Sequence, residues 1–162
     1  TKLATLAALS LGLITTAAQA EAVRTEKNMS LELANQIAAR SVAACPAGGY
    51  AAAPTVVDRA GPVRAVQRAD NAGPHTLEAS RLKAYTAASA KNSTLAIMEG
   101  AQKNPGAANL VIIPGSLLLG GGLPVKVGNE VIGAVGIGGA PGGHLDDKCA
   151  QTALGQVQDL LK

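Results

Sequence analysis

The two histidines are the side chains of this chain whose chemistry is easiest to interpret. Among its 162 residues, His75 and His144 are the only histidines. A neutral imidazole is the commonest side-chain ligand for a transition metal, and it titrates near neutral pH. Each histidine follows a glycine-containing turn and precedes a predicted helix. We therefore predict both as candidate ligands for a metal ion or a haem iron.

The helix that follows His75 carries cationic groups that suit an anionic ligand. The start of a helix disfavours an imidazolium, which leaves a neutral nitrogen for iron. Arg81 and Lys83 lie further along this helix and could pair with a carboxylate such as a haem propionate. The alternative is that His75 is an exposed turn residue beside an ordinary charged helix face, and spacing alone favours this alternative.

The sequence around His144 has a different character. His144 ends a glycine-rich run that starts at Gly133, and it precedes Asp146 and Asp147. One interpretation is a weak cation site formed by His144 and an aspartate. The other is a polar residue at a helix start, with Asp146 as the cap. Because the aspartates would repel propionates, we predict that His75 matters more than His144 for haem binding.

Several familiar motifs are incomplete in this chain. The dinucleotide pattern that starts at Gly136 requires a glycine where Pro141 stands, and the P-loop spacing from Gly138 requires a lysine where His144 stands. The chain lacks a Gly-x-Ser-x-Gly elbow and a His-x-x-x-His pair. The net charge of +3 comes without a basic cluster, so nucleic-acid binding is not predicted.

Residues 1–20 are typical of an export signal. Lys2 precedes an apolar run, which ends in the small-x-small pattern Ala18-Gln19-Ala20. We predict cleavage after Ala20, a periplasmic or secreted product, and no stable membrane insertion after cleavage. Residues 21–29 are then a flexible leader, and residues 30–162 form a single domain.

Export implies an oxidising compartment. Cys45 and Cys149 are the only cysteines, and an even number outside the cytosol favours a disulfide between them. The alternative is two separately buried thiols.

The chain is poor in aromatic residues. It has no Trp and no Phe, and Tyr50 and Tyr85 are its only tyrosines. Its core must consist of Ala, Val, Leu and Ile, and small side chains bury little area per residue. Association with further copies would add buried surface, so we predict a homo-oligomer.

Periodicity predicts four helices and five strands. Ser30 caps a helix to about Ala44, further helices span 76–91 and 93–102, and Asp146 caps the last one. The predicted strands are 54–58, 63–68, 110–114, 123–127 and 131–137. Short turns make most of the sheet antiparallel, which indicates an α+β fold with the first and last helices side by side on one sheet face.

Several segments, in this order, resemble one family. They are Val56–Gly61, Asp70–Thr76, Ala79–Thr86, Pro114-Gly115, Gly121–Val125 and Gly133–Gly139. Together they extend over nearly all of the predicted mature chain and resemble the GlcG/HbpS-like haem-binding and haem-degrading domains, which include the C-terminal domain of PduO-type proteins.

The resemblance implies a profilin-like sandwich, in which helices flank a five-stranded antiparallel sheet. It also implies oligomers and a ligand that is haem or another small molecule. The candidate haem-binding residues are His75, Arg81, Lys83, Tyr85 and His144. The function expected on this basis is an exported haem-binding protein with a haem-degrading or haem-sensing role. The alternative is a non-catalytic small-molecule-binding or structural oligomeric module.

Overall fold

A computed structural model describes residues 22–162, so the predicted export signal lies outside the described residues. The four strands of this part are β1 Ala53–Asp58, β2 Val63–Val66, β3 Gly122–Val127 and β4 Glu130–Gly138. Its α-helices are α1 Leu31–Ala44, α2 His75–Ala90, α3 Thr94–Lys103 and α4 Gly143–Gly155. Three short 3-10 segments, Cys45–Gly48, Pro105–Ile112 and Gln158–Leu160, connect or follow these elements.

The sheet is antiparallel throughout, in the order β2-β1-β4-β3. The hairpin turn between β3 and β4 begins at Gly128, whose φ of +59° suits a glycine. β1 and β4 form the centre of the sheet, with Val57 opposite Ala134. The predicted α+β class and both predicted hairpins are confirmed.

Helices cover both faces of the sheet. α1 and α4 lie side by side on one face, where Val56, Val135 and Ile137 join the main core. α2 covers the other face and packs its alanines against Val57 and Ala134. Because successive strand side chains point to opposite faces, Val56 and Val57 enter different layers.

The predicted strand 110–114 is wrong, and the sheet has four strands rather than five. The side chain of Asn104 accepts a hydrogen bond from the Gly106 N–H, and Pro105 begins a 3-10 segment that continues to Ile112. This local capping competes with extended structure. The segment packs beside α3 and leaves aliphatic side chains exposed; they are Leu110, Val111, Ile112 and Ile113.

The end of the predicted leader contacts the domain. Met29 is buried, and its N–H donates to the Ile132 carbonyl at 3.0 Å. The side chain of Asn28 accepts from the Arg59 N–H at 3.0 Å. The packed part of the domain therefore begins near Asn28.

Gly136 allows α2 to lie directly on the sheet. A Cβ at this position would overlap the Ser80 carbonyl oxygen and lie 2.5 Å from the Ala84 nitrogen. Both atoms belong to the helix backbone, so they cannot move without displacing α2. We expect Gly136→Ala to lower the free energy of unfolding by about 3 kcal/mol, measured by urea denaturation.

Gly100→Ala is the control for that substitution. A Cβ at Gly100 meets nothing within 4 Å, and Gly100 lies inside helix α3. Because alanine favours helix, we expect Gly100→Ala to be neutral or to stabilise by up to about 1 kcal/mol. Equal effects at the two positions would contradict the close approach of α2 to β4.

Candidate functional site

Both histidines lie at the end of the sheet where β4 finishes. The last residue of β4, Gly138, pairs with Ala53 at the start of β1. The first turn of α2 packs closely on Gly138, where a Cβ would lie 3.1 Å from the Thr76 carbonyl oxygen. α4 begins after a short turn. His75 and His144 therefore mark one end of the sandwich, on opposite sides of the sheet.

Each imidazole lies against a glycine two residues earlier in the chain. A Cβ at Gly73 would lie 2.7 Å from Cε1 and 2.9 Å from Nδ1 of His75, but 3.8 Å from Nε2. A Cβ at Gly142 would lie 2.8, 3.0 and 3.9 Å from the same atoms of His144. Both histidines are exposed. The two glycines thus leave room for the rings, and in each ring Nε2 is the nitrogen farther from the backbone.

The acidic residues after His144 point into the fold rather than into solvent. Asp146 and Asp147 are both buried, at 3% and 4% exposure. An Oδ of Asp147 accepts from the Gln151 side chain at 2.7 Å. By contrast, Lys148 is exposed and lies four residues after His144 on α4, which places the two on the same helix face. Lys148 therefore offsets part of the repulsion expected at His144, although Asp147, three residues after His144, keeps one oxygen without a hydrogen-bond partner among the described residues.

Arg81 is engaged with a carboxylate of its own helix. Its Nε and one terminal nitrogen donate to the two oxygens of Glu78 at 2.8 and 2.7 Å. This hydrogen bonding lowers the pKa of the Glu78 carboxyl and raises the pKa of the Arg81 guanidinium. Arg81 is partly exposed and retains donors beyond those two bonds. It can still meet an anion.

Tyr85 lies away from His75. Its ring lies between Gly61 and Gly115, where a Cβ would be 2.9 and 3.5 Å from ring carbons. Ten residues of helix separate it from His75, which corresponds to about 15 Å along the axis. The structure does not bring these two side chains together.

Lys83 is buried in an ion pair with Asp146. The ammonium donates to Asp146 Oδ2 at 2.7 Å and to the Ile137 carbonyl at 2.8 Å, and Lys83 is 1% exposed. The other Asp146 oxygen accepts from the Ala140 N–H at 3.0 Å. Lys83 is thus used inside the fold, where it joins α2 on one face of the sheet to α4 on the other.

Asp146 does not cap α4, so that prediction is wrong. The helix begins at Gly143 after the N-cap Gly142, and no side chain caps it. Asp146 has already entered the helix and turned inward. Burial raises the pKa of the Asp146 carboxyl, and the charge and hydrogen bond of Lys83 oppose this rise.

A disulfide joins α4 to the end of α1, as predicted. Cys45 and Cys149 are bonded across a sequence separation of 104, with their Cα atoms 5.1 Å apart. A cleft of about 430 Å³ opens beside this bridge. Its lining residues are Ala44, Ala47, Gly48, Tyr50, Leu145, Lys148, Cys149 and Thr152. Neither histidine lines this cleft.

Two features of the site had signals in the sequence. The pattern Gly-x-His occurs at both helix starts, as Gly73-Pro74-His75 and Gly142-Gly143-His144. Lys148 stands at the i+4 position from His144, which indicates a shared helix face. The partnership of Lys83 with Asp146 had no local signal, because 63 residues separate the two.

The described residues give no sign of a protein-only metal site or a membrane span. Between residues 22 and 162, no three His, Cys, Asp or Glu side chains gather where they could hold a metal ion. In the same part of the chain, no helix combines the length and hydropathy needed to cross a bilayer.

Comparison with known proteins identifies relatives over most of the chain. A family model described as "Haem degrading protein HbpS-like" matches residues 29–155. A double mutant of HbpS from Streptomyces reticuli superposes with a TM-score of 0.77 at 33% identity, covering 87% of this chain and 94% of that one. ORFY of Klebsiella pneumoniae superposes with a TM-score of 0.78 at 31% identity, covering 83% of this chain and 94% of that one.

A further solved structure shows the same fold at lower identity. The PduOC–haem complex superposes with a TM-score of 0.70 at 23% identity and covers 79% of this chain and 94% of that one. The family model covers well over half of this chain and agrees with the fold and with the order of the matching segments. The chain belongs to the HbpS-like family.

Proposed function

We propose that this chain is an exported haem-binding protein and that its haem site lies at the sheet end marked by His75 and His144. The observation that carries the proposal is the match of residues 29–155 to a family described as haem-degrading. The PduOC structure adds that this fold has been solved with haem in one protein. The predicted export signal supplies the location outside the cytosol.

The side chains at this end of the sheet include a candidate iron ligand and a candidate propionate partner. An exposed imidazole can ligate iron, and a nearby cation can pair with a propionate. His144 with Lys148, and His75 with Arg81, each supply both groups on one helix. His144 and Lys148 share a helix face, whereas Arg81 lies about 9 Å along the axis from His75. Haem bound here would supply the redox and oxygen chemistry of its iron.

Both histidines are included in the proposed haem site because the structure weakens the charge argument that favours His75 over His144. We expect the double variant His75→Ala/His144→Ala to bind haemin at least about tenfold more weakly than the unmodified protein. The measurement is a Soret titration of each single variant and of the double variant. Unchanged affinity in the double variant would overturn the proposed site.

The glycine beside each ring provides a second test. We expect Gly73→Ala and Gly142→Ala to displace the ring of His75 or His144, because a Cβ would lie under 3.0 Å from ring atoms. An imidazole can rotate away, so Gly73→Ala should change the unfolding free energy by no more than about 0.5 kcal/mol, whereas Gly142→Ala also replaces the N-cap of α4 and should cost about 1 kcal/mol. The Soret maximum of the haem-loaded protein should then shift only in the variant whose glycine lies beside the histidine that ligates iron.

Haem degradation is a separate step from haem binding. Addition of a reductant or of peroxide to the haem-loaded protein distinguishes the two roles. Loss of the Soret band with release of iron indicates degradation, whereas a persistent band indicates a carrier or sensor.

We also propose that the protein is a homo-oligomer. A second copy would cover the exposed patch formed by the segment Pro105–Ile112 and the next residue, Ile113. Four consecutive aliphatic residues are exposed there, and Val111 and Ile112 are 62% and 71% exposed. Apolar patches of this kind on soluble proteins mark interaction sites. A core of small residues gains further from such burial.

Ile112→Glu should therefore weaken self-association. We expect the dissociation constant of the oligomer to rise at least about tenfold, because a carboxylate cannot be buried unpaired in an apolar interface. Light scattering after size exclusion measures the molar mass as a function of concentration. Val23→Glu is the control, since Val23 is 80% exposed outside this segment. Equal molar masses for Ile112→Glu and the unmodified protein would contradict the proposed interface.

The second candidate function is a non-catalytic module for another small molecule, or a structural oligomer. The observation in its favour is that both histidines are exposed and neither lines the 430 Å³ cleft. Absence of a saturable Soret change in the purified oligomer would support this alternative.

A further inference from the structure

We propose that the cleft beside the disulfide binds small anionic thiols and that Cys149 is the sulfur with which they exchange. The cleft lies between the end of α1 and the outward side of α4. The proposal uses neither histidine; it shares Lys148 with the proposed haem site, so its experiments use the haem-free protein.

The two halves of the disulfide differ in their access to solvent. Cys149 lines the cleft and is 7% exposed, whereas Cys45 is fully buried and does not line it. In thiol–disulfide exchange, the rate depends on access to the sulfur that is attacked. A thiolate that enters the cleft therefore reaches Cys149, and Cys45 is the leaving group.

The exchange balances in atoms and electrons. The thiolate of the small thiol bonds to Cys149 Sγ while the Cys45–Cys149 bond breaks, and the departing Cys45 thiolate takes a proton from water. The entering sulfur is oxidised to the disulfide level as Cys45 is reduced. A second molecule of the small thiol then attacks the mixed disulfide at the sulfur that came from the first molecule. This releases Cys149 as a thiol and forms the disulfide of the small thiol.

The walls of the cleft favour a small anionic ligand. Lys148 is the charged residue among those that line it, and no carboxylate is among them. A cation at the mouth of a cleft raises the local concentration of anions. Tyr50 forms one wall, and its ring lies against Gly48, where a Cβ would be 2.6 Å from a ring carbon. A volume of about 430 Å³ is in the range of small-molecule sites.

The first experiment maps the sulfur that reacts. The mature protein with its disulfide intact is treated with 3-mercaptopropionate under native conditions and trapped directly with excess N-ethylmaleimide at neutral pH. Peptide mapping should find the mixed disulfide on Cys149 and the alkyl group on Cys45. The opposite assignment, an equal mixture, or reaction only after unfolding would overturn the proposal.

The second experiment tests the preference for charge. Rates with 3-mercaptopropionate and with cysteamine are compared at equal thiolate concentrations, and their ratio is taken for each variant. We expect Lys148→Gln to lower the anion-to-cation rate ratio about threefold. Lys126→Gln is the matched control, because Lys126 is an exposed lysine on β3 outside the cleft. An unchanged ratio in Lys148→Gln would overturn the anionic preference.

The third experiment blocks the cleft with a larger side chain. Ala47 is exposed on the wall of the cleft, and Ala47→Trp should fill it and slow exchange with both thiols at least about tenfold. Urea denaturation of the oxidised variant checks that the fold is retained. Unchanged rates in a folded Ala47→Trp protein would show that thiols do not enter through the cleft.

Discussion

Replacement of Lys83 by methionine should lower the free energy of unfolding by about 3–5 kcal/mol near neutral pH. The substitution leaves Asp146 buried at 3% exposure, with the Ala140 N–H as its remaining hydrogen-bond partner. It also removes the link between α2 and α4, and these helices carry the two histidines. We therefore expect haemin affinity to fall together with stability.

The pH dependence of this loss identifies its cause. Burial already raises the pKa of Asp146, and removal of Lys83 takes away the charge that opposes the rise. Between the ordinary value of 3.8 and the raised pKa, the folded state then binds more protons than the unfolded state. The contribution of Asp146 to the free energy of unfolding therefore rises as the pH falls through that window. The loss of stability in Lys83→Met, relative to the unmodified protein, should shrink accordingly.

A double variant separates the buried charge from the helix link. Replacing both partners, as in Lys83→Met/Asp146→Leu, removes the unpaired carboxylate, and replacing a buried pair by apolar residues is often neutral. We expect it to recover at least about half of the loss measured by urea denaturation. A deficit in Lys83→Met below about 1 kcal/mol, or one that grows on acidification, would contradict the structural role of the pair.

Removal of the disulfide should cost up to about 4–5 kcal/mol of unfolding free energy in the chain-entropy model, because the bridge closes a long loop. The variant Cys45→Ala/Cys149→Ala is compared with the oxidised protein by urea denaturation without reductant. The separation of 104 residues spans most of the domain, so the bridge restricts most of the unfolded chain.

Reduction of the unmodified protein provides the control for the disulfide. The reduced protein and the double alanine variant should unfold at similar urea concentrations, since both lack the cross-link. Mass spectrometry of protein isolated from its native compartment without reductant should find no free thiol at Cys45 or Cys149. Two free thiols there would reject the bridge.

Local periodicity was sufficient to predict much of the fold. α1 was correctly placed because Ser30 caps it and its buried residues follow helical spacing. The turn at Gly128 correctly paired β3 with β4. The first two features depend on residues within a few positions of one another. The side-by-side packing of α1 and α4 is not local, and it is predicted from the cysteine that each helix carries on or beside its apolar stripe.

The parts that failed depend on contacts that spacing does not encode. A short apolar run such as 110–113 does not distinguish a buried strand from an exposed turn of helix, and here capping by Asn104 selects the 3-10 form. Lys83 was predicted to face an anionic ligand, but the structure places it against Asp146, from the opposite layer. Such a pairing requires the topology of the whole sheet.

Titration of the purified mature protein with haemin tests the central proposal most directly. The Soret band should shift and saturate at a fixed number of haems per chain, and the shift should be lost in His75→Ala/His144→Ala while Val23→Glu retains it. A linear, unsaturable absorbance increase, equal in the unmodified protein and the double histidine variant, would contradict a haem site at this end of the sheet.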